Sequence, residues 1–291
     1  MLISSRQNPS IKRVRCLSSR KHRDRTGLFL VEGLQLVAEA ALMRAHVSTL
    51  VIAPDLLHGR LAGDVASIRE RTGAPALLVT PEVLSTVSAR HAQQGIAAVV
   101  HQRWERLWDV ALSPEDCWVA VKEIRQPWSI GTIIRMCDAV GASGVILIGD
   151  STDPYDPTAV RASLGTVFSQ HVVKASFAEF AAWKRRQGCF VVGTSPAAAA
   201  DYRRISYPER VVLFMGSERV GLSPEQEAIC DAMVSIPMVG RCPSHHVSVA
   251  TGIVLYEIFS QRHAAAASWG GGADEGRHRA IPGRRSVRPR L

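Results

Sequence analysis

The sequence predicts an α/β protein in two parts. A smaller α/β module covers residues 1–105, a join covers 106–116, and a larger domain built on a parallel sheet covers 117–263. Three observations predict this. Short apolar runs alternate with stretches of helical periodicity along most of the chain. In the second half the strand-like runs are continuously apolar, as a sheet covered on both faces requires. Beyond residue 263 both periods stop, and the Gly/Arg-rich stretch 264–291 reads as a disordered basic tail.

The first module opens on a basic segment, then "LFLVEG" (28–33) reads as a strand. A helix follows over 34–43, with Leu36, Val37, Ala40 and Ala41 on one face. "VSTLVIAP" and "PALLVT" read as strands around the helix "LAGDVASIRERTG", which stops at Gly73. "PEVLSTVSAR" is helical in pattern, and "GIAAVVHQ" is a further strand. After the join, "CWVAVKEI" (117–124) is a strand, a helix covers 130–140, and "GVILIG" (144–149) is a strand. "TAVRASLG" is a short helix. "FAEFAAWKRRQG" is a longer one, with basic residues in its last turn and Gly188 as its stop. "CFVVGTS", "VVLFMGS" and "AMVSIP" are strands. In "VSVATGIVLYEIF" the residues Val249, Ile253, Tyr256 and Ile258 recur at helical spacing and predict a mostly buried final helix.

Composition narrows the class. With 291 residues, 46% hydrophobic and 21% charged, the chain can bury a sizeable core and is not disordered throughout. The net charge of +9 is uneven: residues 1–26 carry eight Lys/Arg and one acid, and residues 264–291 carry six Arg and two acids. The basicity therefore sits at the ends and reads as grip on a polyanion such as RNA. The first 26 residues lack an apolar core, and no apolar run is long enough for a membrane span, so no signal peptide or membrane anchor is expected. The six cysteines include no C-x-x-C pair, and a reduced cytoplasm is the default compartment. Cys242 with His245 and His246 forms a partial zinc set, but no second ligand cluster stands at a zinc spacing, so no metal is expected.

Parallel sheets present ligands in the loops at the C-terminal ends of their strands. Three such loops carry chemistry. The first is "EIRQPWSIGTIIRMCDAVGA", with Gly131 for a tight approach and Arg135 on the helix; the second is "FMGSERVGLSPE", with Gly216, Ser217, Glu218 and Gly221. The third is "IPMVGRCPSHH", where Ser244 is the expected N-cap and His245 and His246 fall in the first helical turn. A helix N-terminus favours an anion or polar ligand and disfavours a charged imidazole. Neither G-x-x-x-x-G-K-[ST] nor G-x-G-x-x-G occurs, which argues against an ordinary P-loop nucleotidase, a common dinucleotide fold and the glycine-rich loop of ordinary methyltransferases.

Across about residues 119–259 these loops resemble the SpoU (TrmH-type) branch of the SPOUT RNA methyltransferases. The family's first motif, N-x-G-x-x-x-R, stands here as "SIGTIIR"; "VRASLG" also matches, the second motif is "FMGSERVGLS", and the third is "IPMVGRCPSHHVSVATGIVLYE". The first half, with "FLVEGLQLVAEA", resembles more weakly the ribosomal-protein-like RNA-binding module often found ahead of that domain. The resemblance implies a SPOUT domain with a trefoil knot, an exception to the rule against knots. It implies S-adenosyl-L-methionine held bent by the second and third motif loops, a homodimer that completes the site, and methyl transfer to a ribose 2′-hydroxyl, most often of ribosomal RNA.

By the same resemblance, Arg135 is the arginine linked to deprotonating the 2′-hydroxyl. A guanidinium almost never gives up its proton, so anchoring a phosphate or stabilising the developing alkoxide suits it better. Glu218 and Ser244 match polar residues of the second and third motifs. Thr194, Gly216, Ser217, Gly221, Ile236, Met238 and His245 fall to the cofactor loops. Two positions depart: the third motif reads S-H-H-V-S where the family has S-L-N-V-S, and Ser129 replaces the first motif's asparagine. Three readings stay open: a retuned site in which His246 supplies an acceptor or general base, a catalytically impaired paralogue that still binds RNA, or an acceptor other than ribose.

Overall fold

The structure, a computed structural model, describes residues 2–88 and 94–268. The expected basic tail therefore lies mostly outside the described residues, as do the last two residues of the helix expected over 81–90.

The chain begins with two short helices that the charge pattern had hidden, α1 (Pro9–Cys16) and α2 (Arg20–Thr26). Their start signals are local: Asn8 caps α1 by accepting from the Ser10 N–H at 2.9 Å, and proline fills its first turn. Then follow β1 (Leu28–Glu32), α3 (Leu34–Leu42), β2 (Val47–Ile52), α4 (Arg60–Thr72), β3 (Ala76–Leu78), α5 (Pro81–Val87) and β4 (Ile96–His101). The strands form a four-stranded sheet in the order β1-β4-β2-β3, antiparallel except for the parallel β2–β3 pair.

The second part contains β5 (Cys117–Lys122), α6 (Pro127–Ala139), β6 (Gly144–Ile148), α7 (Pro157–Ala162) and β7 (His171–Ala175). These lead to α8 (Phe177–Gln187), β8 (Phe190–Thr194), β9 (Ala200–Asp201), β10 (Val211–Met215), α9 (Pro224–Glu227), β11 (Ala232–Ser235) and α10 (Val247–Ser268). All seven strands run parallel, in the order β7-β6-β5-β10-β8-β11-β9. The apolar runs are explained by their two faces. Val119, Val121, Leu213 and Met215 join the core beneath α6 and α10, while Trp118, Ala120, Val212 and Phe214 join the core that holds Phe180 and Trp183 of α8.

Several elements differ from the sequence reading. β7 was missed because His171 and Lys174 are exposed on it, which breaks the apolar run. The helix expected over 158–165 ends at Ala162, because Leu164 and Gly165 turn to positive φ (51° and 93°). α6 begins three residues before the expected position 130, since Pro127 opens its first turn. α10 runs to Ser268, past the expected boundary at 263. It is also less buried than expected. Val249 and Tyr256 are 51% and 49% exposed; Ile258 is buried as expected, and it shares the buried face with Val247, Thr251, Val254 and Leu255.

The two sheets share one apolar core, in which Phe29 of β1 packs on Tyr155 at 4.8 Å between ring centroids. Arg23 crosses the same boundary. It is 1% exposed and donates to Asp153 at 2.6 Å, to Asp156 at 3.2 Å, and to the carbonyls of Leu17 and Ser18 at 2.9 Å. Part of the leading basic charge is thus internal, contrary to the reading of the whole segment as surface grip. Among the described residues no helix is long and apolar enough to cross a membrane.

Candidate active site

The loops after β8, β10 and β11 leave adjacent strands at their C-terminal ends and enclose a cavity of about 460 Å³. That volume lies in the range of roughly 300–1,000 Å³ common for small-molecule sites. Thr194, Gly216, Ser217, Gly221, Ile236, Met238 and His245, the residues assigned above to the cofactor loops, all line it. Glu218 and Ser244 line it too, as do Met215, Leu222, Val234 and Val247, which the sequence reading did not single out. These four are core-like residues in sequence. Only the closure of the loops makes their edges a wall.

Glycine is needed at 216 for space. A Cβ there would meet the carbonyl carbon of Gly221 at 2.2 Å and the nitrogen of Leu222 at 2.5 Å. The loop closes on itself through Gly221 N–H to Ser217 C=O at 2.9 Å, with Gly221 at φ +71°. Gly131 of the first loop serves packing rather than ligand approach. A Cβ on it would meet the Ala159 carbonyl oxygen at 2.2 Å, so it lets α6 and α7 meet closely.

Beside the cavity stands a polar cluster. Ser129, fully buried, donates from Oγ to Glu218 Oε1 at 3.4 Å. His246 Nε2 lies 3.5 Å from the same hydroxyl and 3.6 Å from Glu218 Oε1. The other ring nitrogen is committed to the helix: Nδ1 accepts from the Ser248 N–H at 3.3 Å and lies 3.0 Å from the Ser248 hydroxyl. A backbone N–H can only donate, so Nδ1 carries the lone pair and the neutral ring's proton sits on Nε2, facing Glu218. His246 is therefore the N-cap of α10, not Ser244, which is exposed and three residues upstream of the first helical residue. This also departs from His246 as an acceptor for substrate: its acceptor nitrogen is occupied, and the free one is a donor.

The cluster has a second tier. The Trp128 ring stacks on His246 at 4.2 Å between centroids and 25° between planes, yet stays 42% exposed. Sequence reasoning missed Trp128. The available signal was its phase, seven residues before Arg135 and out of step with the buried Ile130, Ile133, Ile134 and Cys137. Arg135 is exposed on α6, outside the cavity lining of its own chain, and forms no ion pair or hydrogen bond among the described residues. Cys242 is exposed, with its thiol 3.1 Å from the Ser244 carbonyl. No group of three or more His, Cys, Asp or Glu suited to a metal occurs among the described residues.

Known proteins resemble this chain in sequence and in fold. Residues 116–256 match the SpoU rRNA Methylase family, and residues 8–98 match an MRM3-like substrate binding domain. The chain is 31% identical over 255 residues to a 23S rRNA (uridine(2479)-2′-O)-methyltransferase of Streptomyces viridochromogenes, covering 84% of this chain and 87% of that one. It is 27% identical over 256 residues to the 23S rRNA (guanosine(2553)-2′-O)-methyltransferase of Bacillus subtilis, covering 88% of this chain and 98% of that one. The crystal structure of an AdoMet-bound rRNA methyltransferase from Sinorhizobium meliloti superimposes with a TM-score of 0.82 at 37% identity, covering 90% of this chain and 98% of that one.

Proposed function

The chain belongs to the SpoU rRNA methylase family, and from that premise we propose that it transfers a methyl group from S-adenosyl-L-methionine to a ribose 2′-hydroxyl of ribosomal RNA. The observation that carries this reading is the cavity. It is open, walled by Met215, Leu222, Ile236 and Val247 for an apolar body, and edged by Thr194, Ser217 and Ser244 for polar groups. That donor set fits a nucleoside joined to an amino-acid arm. The bound cofactor supplies an electrophilic methyl group.

The chain's own residues supply positioning. The Gly216–Gly221 loop holds the cavity's shape without side-chain bulk. Glu218, oriented by Ser129 and His246, accepts the hydrogen bond of the substrate hydroxyl, points its oxygen, and takes its proton as the O–CH3 bond forms. Arg135 stabilises the charge that develops on that oxygen. Alignment of oxygen and methyl accounts for much of the rate.

Arg135 does not line the cavity of its own chain, which supports a homodimer in which one protomer's arginine serves its partner's site. The exposed apolar residues of α10, Val249 and Tyr256 at i and i+7 with half-buried Ile253 between them, support the same assembly. β10 seated between β5 and β8, with α10 returning against α6, supports the trefoil knot. The domain division at the join, a cytoplasmic location and a metal-free reaction belong to the same proposal.

The test is calorimetry with S-adenosyl-L-methionine in chelator, followed by transfer of labelled methyl to ribosomal RNA and mapping of the product nucleotide. Binding without metal and a 2′-O-methyl product are expected. No binding at millimolar cofactor would overturn the reading.

A further inference from the structure

Trp128 is out of place for a core residue. It sits on the first turn of α6, one residue before the buried Ser129, and 42% of it is exposed. Its ring is nevertheless fixed. One face lies on the His246 imidazole at 4.2 Å, and that imidazole is itself held by Ser248 at one nitrogen and faces Glu218 with the other. The platform thus stands next to a residue that lines the cavity.

Two exposed arginines flank the ring along the chain. Arg125, three residues before it, is exposed, and Arg135 lies seven residues later on the same helix face, about 10 Å along the axis at ~1.5 Å per residue. Neither arginine has an ion-pair partner among the described residues. An open, rigid indole face flanked by unpaired guanidinium groups matches the two surfaces of a nucleotide, a flat base and a charged phosphate.

We propose that Trp128 is a stacking platform for a nucleobase of the RNA, the base belonging to or adjoining the nucleotide that is methylated. Stacking of this kind tolerates any base, because each has a π-face, so Trp128 supplies affinity and orientation rather than sequence choice. His246 backs the ring on one face. The inference rests on the RNA-methyltransferase reading and extends it to a residue and a contact.

The experiment compares binding of an oligouridylate with binding of an abasic ribose-phosphate chain of equal length, at fixed salt, for the full chain. The wild type is expected to prefer the oligouridylate. Trp128→Ala is expected to lose roughly tenfold in affinity for it and to bind the two probes alike, while Trp128→Phe stays within about threefold of wild type. Cofactor affinity is the folding control and should not move. Trp128→Ala that retains the preference for bases overturns the proposal, as does a wild type with no preference. Conversion of Trp128→Ala to a monomer by light scattering overturns it too, because the ring would then belong to contact with a second copy. Wild type that shows the preference yet methylates no ribosomal RNA would sink the functional reading and leave the platform standing.

Discussion

The Ser248 N–H donates to Nδ1 of His246 at 3.3 Å, so one imidazole both closes the first turn of α10 and turns its Nε2 toward Glu218 at 3.6 Å. An asparagine at this position would offer Oδ1 at the same reach from the backbone. Histidine at this position therefore provides the cap that an asparagine would and adds a donor farther out. His246→Asn should hold stability within a few tenths of a kcal/mol, whereas His246→Ala should cost about 1 kcal/mol, a typical loss for a missing N-cap. His246→Ala should also lower kcat more than it changes cofactor affinity, because Glu218 loses a partner. Denaturant unfolding and initial rates check both parts; an alanine variant as stable and as fast as wild type would contradict them.

The cavity depends on the near contact of Gly216 with the Gly221–Leu222 peptide. Gly216→Ala places a Cβ 2.2 Å from backbone that cannot turn aside, so the loop must shift. Cofactor affinity should fall at least about tenfold, equivalent to ~1.4 kcal/mol. Gly240→Ala is the control, because a Cβ there meets nothing within 4 Å. Calorimetry on the two variants should separate them; equal affinities would show that the loop is not the cofactor's wall.

Arg135→Ala should reduce methyl transfer by at least ~10²-fold, a usual loss for a removed transition-state donor. Cofactor affinity should stay the same, since Arg135 is outside the cavity lining. Mixing Arg135→Ala with a cofactor-site variant such as Gly216→Ala should restore activity in heterodimers if the arginine serves the partner's site. Absence of recovery in verified heterodimers would place the arginine with its own chain.

Arg23 is a structural cation. Its guanidinium neutralises Asp153, which is 5% exposed, and also reaches Asp156 and two carbonyls. Arg23→Met would strand a buried carboxylate, and such losses cost about 3–5 kcal/mol. Urea unfolding should show it. Neighbouring Lys21→Met, at an exposed position, should leave stability unchanged and lower only the salt dependence of RNA binding.

The exposed face of α10 gives a test of assembly. Tyr256→Asp puts a charge at a side chain that is 49% exposed in the single chain and should cost the monomer little. It should abolish a dimer if that face is the contact, because an unpaired buried charge is strongly unfavourable. Light scattering reads the mass. A Tyr256→Asp protein of unchanged dimeric mass would move the interface elsewhere.

The sequence by itself determined the class and the order of the fold. Continuous apolar runs such as 117–121 and 211–215 could only be buried on two faces, and helix stops such as Gly73 and Gly188 are local events with αL geometry. It also pointed to three loops after strands, because strand–loop–helix order is a local property, and the structure brings the loops after β10 and β11 to one cavity. Tertiary structure decided what local patterns do not encode. β10 lies between β5 and β8, so Glu218 meets Ser129 from 89 residues away in the chain. Arg23, one of eight charges that look alike in sequence, is buried because Asp153 stands 130 residues later at the domain boundary. Val249 and Tyr256 carry the pattern of a core yet face outward, since periodicity reports which residues share a side and not whether that side is covered. His246 is the cap because the backbone enters the helix at Val247, three residues after the serine.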